Sequence, residues 1–163
     1  MGKIAGGTRP NVVPERCDLE VDVRSTSAEG LAEVEAAIRE LAAAPEVEDT
    51  TIEANVMVSW LPMEKLERSG RLVEHAKSIA DRLGFAVNDT ATGGASDANT
   101  TSGMGVPTLD GLGPIGGNDH APAEYLEVES IVPRTTMLAG LLLAIARDPE
   151  VIAWREDDPR FRG

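Results

Sequence analysis

The sequence predicts an α/β chain in two pieces followed by a tail, and three observations predict it. Apolar and polar residues alternate over residues 19–23 and again over 52–58, the period of half-buried strands. At 27–44, 69–83 and 133–147 apolar residues recur instead at helical spacing. Between the last two helical stretches, residues 93–117 hold eight glycines, an unusual density for an ordered segment.

Taken in order, residues 3–5 form a short strand that turns past Gly6 and Gly7 into the next. In that next strand Leu19, Val21 and Val23 alternate with Glu20, Asp22 and Arg24. The helix over 27–44 has Ser27 as its cap, Leu31, Val34, Ile38 and Leu41 on one face, and Pro45 as its stop. Ile52, Ala54, Val56 and Val58 form a further strand, expected beside 19–23 in one antiparallel sheet whose apolar face meets that helix. Pro62 breaks the pattern, and residues 63–70 are a connector.

The helix over 69–83 turns Leu72, Val73, Ala76, Ile79, Ala80 and Leu83 inward and ends at Gly84. His75, beside Glu74 and Lys77, is expected in water. The last helix starts at Pro133 and buries Met137, Leu138, Leu141, Leu142 and Ile145. Residues 148–163 form a tail, disordered or loosely docked, with Trp154 and Phe161 among charges.

Composition narrows function. In 163 residues, a hydrophobic share of 42% is enough for a packed core. The 28 acidic residues against 15 basic give a net charge of -13, the wrong sign for nucleic acid or an anionic membrane. Aromatics at 3% exclude a base-stacking platform. The lone Cys17 excludes an internal disulfide, and residues 1–10 lack the apolar run of a signal peptide, so the cytoplasm is the expected compartment. The longest apolar run, 137–146, is too short to span a bilayer.

Three segments carry candidate chemistry. In GGNDHAPAEY, His120 is a candidate metal ligand or proton carrier, although a single imidazole does not complete a zinc shell, and a surface-loop histidine is the commoner meaning. In GGASDAN the glycines lead into a candidate helix start, either an anion-facing turn or a plain cap by Ser96 or Asp97. Arg24 ends a strand, where a guanidinium can clamp a carboxylate or form an ordinary salt bridge. No Ser-His-Asp arrangement and no phosphate-loop lysine is present.

The order of these segments resembles a known family. GGTRPNVVPERCDLEVDVR resembles the lid, or dimerisation, domain of the dinuclear-zinc carboxypeptidase and aminoacylase family. That family includes glutamate carboxypeptidase, acetylornithine deacetylase, succinyl-diaminopimelate desuccinylase and peptidase T. GGASDAN followed by GVPTLDGLGPIGGNDHAPAEYLEVESIVPR resembles its C-terminal catalytic segment. The resemblance implies a partial α/β-sandwich lid over residues 1–60, the end of a mixed-sheet catalytic domain over 61–147, and a tail over 148–163. It implies zinc, two ions per complete enzyme with cobalt or manganese as substitutes, and His120 as a metal ligand supported by Glu124. It further implies Asn11, Arg24, Gly94, Ala95 and Ser96 as substrate-binding residues.

Where much of the family has an arginine before the connector proline, this sequence has Leu61. The family's His-x-Asp and Glu-Glu motifs, the latter with the general base, are absent, so no catalytic residue is expected within this chain. The implied function is the C-terminal fragment of a hydrolase that cleaves amide bonds of peptides or N-acyl amino acids, inactive alone and homodimeric through the lid. The alternative is a non-catalytic dimerisation or binding module derived from that lid.

Overall fold

A computed structural model describes residues 2–157 of the chain, which divides into two units, Met1–Glu64 and Lys65–Gly163. Mixed helix and short strand make the chain α/β. In the first unit β1 (Lys3–Gly6) pairs antiparallel with β2 (Cys17–Glu20), with Ile4 opposite Leu19 and Gly6 opposite Cys17. Gly6 is required at that place, because a Cβ there would lie 2.7 Å from the Arg16 carbonyl oxygen. The connecting loop turns at Gly7 (φ 84°), where an added Cβ would come within 3.5 Å of the Pro14 ring.

Helix α1 (Ala28–Ala43) starts where the sequence places it. Ser27 Oγ accepts from the Gly30 amide at 3.1 Å, and the Glu64 carboxylate accepts from the Ala28 amide at 2.7 Å. Its apolar face, however, is not covered. Leu41 is 71% exposed, Val34 and Ile38 are exposed, and no described residue of this unit is buried.

The strand expected over 52–58 does not form. Ile52 and Ala54 lie beside Arg39, Ala42 and Ala43 of α1, but residues 50–60 join no sheet, and Val58 is 74% exposed. The reason is pairing: a strand must spend its amides and carbonyls on a neighbour. The ladder of β2 goes to β1, and it ends at Glu20 rather than running to Val23.

The second unit has the core. Helix α2 (Ser69–Arg82) packs on α4 (Val128–Ile145). Ala76, Ile79 and Ala80 meet Met137 and Leu141, with Phe85, Val87, Leu109 and Leu112 closing the edges. Gly140 permits the close approach, because a Cβ there would lie 3.2 Å from Ile79 Cγ2. Between these helices lie α3 (Asp97–Gly103) and an antiparallel hairpin of β3 (Gly116–Gly117) and β4 (Tyr125–Leu126).

Several expectations for this unit are corrected. Leu83 sits past the last turn of α2 and is exposed, and Gly84 (φ 84°) ends that helix as expected. The last helix begins at Val128, five residues before Pro133, which lies inside its second turn. Starting there it reaches 18 residues, long and apolar enough by length and composition alone to cross a bilayer, a test that the core helix of a soluble protein also passes. Leu138 and Leu142 fall on its outer face, because Met137 and Leu141 already take the face toward α2.

The tail is also more ordered than expected. Its first part forms α5 (Pro149–Asp157), with Pro149 in the opening position and Asp148 as the cap. Trp154 carries the Arg68 guanidinium 5.6 Å above its ring. Phe161 lies outside the described residues.

Candidate functional site

In the first unit, Asn11 lies in the turn between β1 and β2, exposed to solvent. Arg24 follows β2, and its guanidinium forks onto Asp22, with Nη2 to Oδ2 at 2.7 Å and Nε to the same oxygen at 3.1 Å. Asp22 is thereby held below the ordinary carboxylate range, first by the hydrogen bond from Arg24. The ordinary local ion pair is therefore what Arg24 makes in this structure, and both groups are exposed.

In the second unit, Gly94 and Ala95 lead into the N-terminus of α3, and Ser96 caps it. Ser96 Oγ accepts from the Ala98 amide at 3.2 Å, and Asn99 Oδ1 accepts from the Ser96 amide at 2.9 Å, a reciprocal box. The plain cap is thus formed by Ser96. The two glycines before it answer to no steric or backbone-angle demand. A Cβ on Gly93 would meet nothing within 4 Å, one on Gly94 only Thr92 Oγ1 at 3.7 Å, and neither has a positive φ. What they leave is open space where a side chain would stand.

His120 and Glu124 share the loop of the β3–β4 hairpin. The loop closes on itself: the Ala121 amide donates to the Asn118 carbonyl and the Glu124 amide to the Ala121 carbonyl, each at 3.0 Å. Asn118 Nδ2 donates to the Ala123 carbonyl at 3.2 Å. Asn118 (φ 60°) and His120 (φ 64°) both sit in the left-handed region. That conformation costs a residue with a Cβ about 1–3 kcal/mol, least for types such as asparagine and histidine, so the turn fixes the backbone of the exposed His120. No side-chain hydrogen bond joins Glu124 to His120 among the described residues.

Both glycines of β3 are structural. A Cβ on Gly116 would lie 2.7 Å from the Tyr125 carbonyl oxygen, and one on Gly117 would lie 2.9 Å from the Tyr125 ring. Gly116→Ala is therefore expected to break the hairpin pairing, because the obstructing atom is backbone and cannot swing aside. Amide hydrogen exchange checks this. Exchange at Gly117 and Tyr125 should rise about tenfold or more while α2 stays protected. Unchanged exchange would contradict the steric account.

Metal fit is limited. Among the described residues no group of three or more His, Cys, Asp or Glu side chains is gathered to hold a metal ion. His120 is a single donor, and the residues present do not complete a zinc shell.

Sequence reading missed the linkage around these loops and misplaced His75. His75 is half-buried, not solvated, and its Nε2 lies 2.5 Å from Asp148 Oδ2. Arg71 Nε donates to the same oxygen at 2.8 Å. The spacing of Arg71 and His75, one helical turn apart on α2, was the available signal.

The comparisons agree with the order of motifs. The profile of the peptidase family M20/M25/M40 matches residues 6–144. A curated relative, uncharacterized protein YqjE of Bacillus subtilis (strain 168), is 28% identical over 153 residues, covering 90% of this chain and 39% of that protein. The chain thus spans about two fifths of the length of the relative it matches. No solved structure matches it. With Gly-Gly-x-Ser-Asp, Gly-x-Pro and the His120 hairpin in one order inside the matched span, the chain belongs to peptidase family M20/M25/M40.

Proposed function

We propose that this chain contributes the substrate-holding part of an amide hydrolase acting on peptides or N-acyl amino acids, in the manner of glutamate carboxypeptidase. In this reading it does not act alone. The observation that carries the proposal is the His120 hairpin: an exposed imidazole held at positive φ by a self-bonded loop, inside the family match. In the second unit Gly94, Ala95 and Ser96 would offer backbone to substrate; in the first, Asn11 and Arg24 are candidates for binding a carboxylate. For Arg24 this requires exchanging Asp22 for substrate, which the exposure of that ion pair makes inexpensive.

The family's chemistry asks for metal and for a general base. His120 is the one donor this chain would bring, and the remaining groups would come from outside it. The exposed apolar residues of the first unit, Met57 at 84% and Val58 at 74%, support a homodimer surface there. The cytoplasm is the compartment this reading assumes, in keeping with the lone, exposed Cys17.

A chimera tests the proposal. In YqjE the matched segment is replaced by this chain, and release of amino acid from dipeptides and N-acyl amino acids is followed. The chain alone should give no turnover, and the chimera should. His120→Ala should abolish that turnover. Arg24→Lys should chiefly raise KM, because the charge remains while the two-pronged fork is lost. An active chimera that is indifferent to His120→Ala would overturn the reading.

A further inference from the structure

Residues 109–117 run from a contact with Ser96 to the His120 hairpin and are anchored by several polar contacts. Asp110 Oδ2 accepts from Ser96 Oγ at 2.6 Å. Gly111 (φ 65°) then turns the chain. Arg134 of α4 donates from Nε to the Gly113 carbonyl at 2.8 Å, and from Nη2 to the Gly111 carbonyl. Leu109 and Leu112, on either side of Gly111, pack against the α2–α4 core. One turn before Arg134 on the same helix, Ser130 Oγ accepts from the Ile115 amide at 2.8 Å and donates to the Glu127 carbonyl at 2.6 Å. The Glu127 amide returns to the Ile115 carbonyl at 2.8 Å. The next residue is Gly116 of the hairpin.

We propose that Asp110 and Arg134 are positioning residues for the candidate site: Asp110 fixes the Gly94–Ser96 backbone through Ser96 Oγ, and Arg134 fixes Asp110 through the carbonyls on either side of Leu112. This rests on the reading that Gly94–Ser96 face substrate. The physical case is directional. A serine that only caps a helix needs its oxygen as an acceptor. Ser96 uses that oxygen for the Ala98 amide and gives its proton to Asp110, a charge-assisted bond that sets the hydroxyl rotor and with it the loop. Arg134 spends a planar, two-pronged donor on two main-chain oxygens, which lysine cannot reproduce. The spacing between the Ser96 loop and the His120 hairpin is then set by the rigid α2–α4 core rather than by glycine-rich chain.

The test uses the full chain. Amide hydrogen exchange at Ser96 and Ala98 should rise about tenfold in Asp110→Ala, the scale of one lost charge-assisted bond, while Ile79 and Ala80 in α2 stay protected. Asp110→Asn, whose side-chain oxygen still accepts, should keep most of the protection. In a Ser96→Ala background, Asp110→Ala should add nothing at the amide of position 96. Arg134→Met and Arg134→Lys should loosen residues 111–115 and reach the same Ser96 and Ala98 amides. With N-acetyl-L-glutamate as the probe, the dissociation constant read at the Gly94–Ser96 amides should rise about tenfold in Asp110→Ala and return in Asp110→Asn.

Unchanged exchange at Ser96 and Ala98 in Asp110→Ala overturns the proposal, as does an Arg134 effect confined to 111–115 or loss of protection across α2. A wild-type chain that shows no probe response at Gly94–Ser96 counts instead against the hydrolase reading, and the exchange data still decide the positioning claim.

Discussion

Met137→Ala is expected to unfold the second unit at temperatures where the wild-type chain is folded. Met137 has no exposed surface, and no other large side chain among the described residues is so completely enclosed. It fills the space between Ala76, Ile79 and Ala80 of α2 and its own neighbour Leu141. Two of those partners are alanines, whose side chains cannot swing in to refill the gap. Truncation of a buried methionine therefore leaves most of its volume empty, at a cost of about 2–5 kcal/mol.

That cost is large against a core with only six buried apolar residues among the described residues, and against the roughly 5–15 kcal/mol that holds whole domains together. In a unit of this size it should lower the melting temperature by about 10 °C or more. Met137→Leu, which nearly conserves volume, should cost less than about 1.5 kcal/mol. Val132→Ala, at a position 72% exposed on the outer face of α4, should be close to neutral. Far-ultraviolet circular dichroism melts of the three variants check the ranking. Equal melting of Met137→Ala and Val132→Ala would show that the α2–α4 contact is not what holds this unit.

Asp148→Ala should detach α5 and loosen the start of α2. The buried carboxylate gathers three donors from two helices: His75 Nε2 at 2.5 Å, Arg71 Nε at 2.8 Å and the Glu150 amide at 2.9 Å. Removing it leaves an arginine and a histidine without their shared anion and α5 without its cap, so the loss exceeds that of a surface ion pair. Asp148→Asn keeps the cap and loses the charge, and should fall between alanine and wild type.

The bond from His75 first, then that from Arg71 and the Glu150 amide, holds the Asp148 carboxyl down to about 2 from its ordinary 3.8. Its folded value lies below its unfolded value. The stabilisation is therefore complete above the unfolded value and is lost as pH falls through the folded one, between about 4 and 2. Unfolding by denaturant, measured across that range, should show a steeper acid limb in wild type than in Asp148→Asn. Asp18, Asp22 and Asp89 are also held low by basic partners, so the difference between the two curves, not either alone, reports on Asp148. Parallel curves would refute the assignment.

The sequence by itself determined the elements whose signals are local. Ser27 before an amphipathic run, the apolar spacing from Leu72 to Ala80 and the left-handed Gly84 each specify backbone geometry within a few residues, and each appears where the sequence puts it. The family was also legible, because three spaced motifs in one order are specific where each alone is not.

Only the tertiary structure decided what depends on partners far apart in the chain. The β-branched run at 52–58 reads as a strand, but a strand exists only if a neighbour takes its hydrogen bonds, and no residue of 50–60 joins the second edge of β2. His75 reads as a solvated residue because its partner, Asp148, lies 73 positions away. The links from Ser96 through Asp110 to Arg134 join residues 14 to 23 positions apart and leave no periodicity to read. Periodicity reports which face of an element is apolar; it carries no information on whether anything covers that face, which is why the apolar stripe of α1 is exposed while that of α2 is buried.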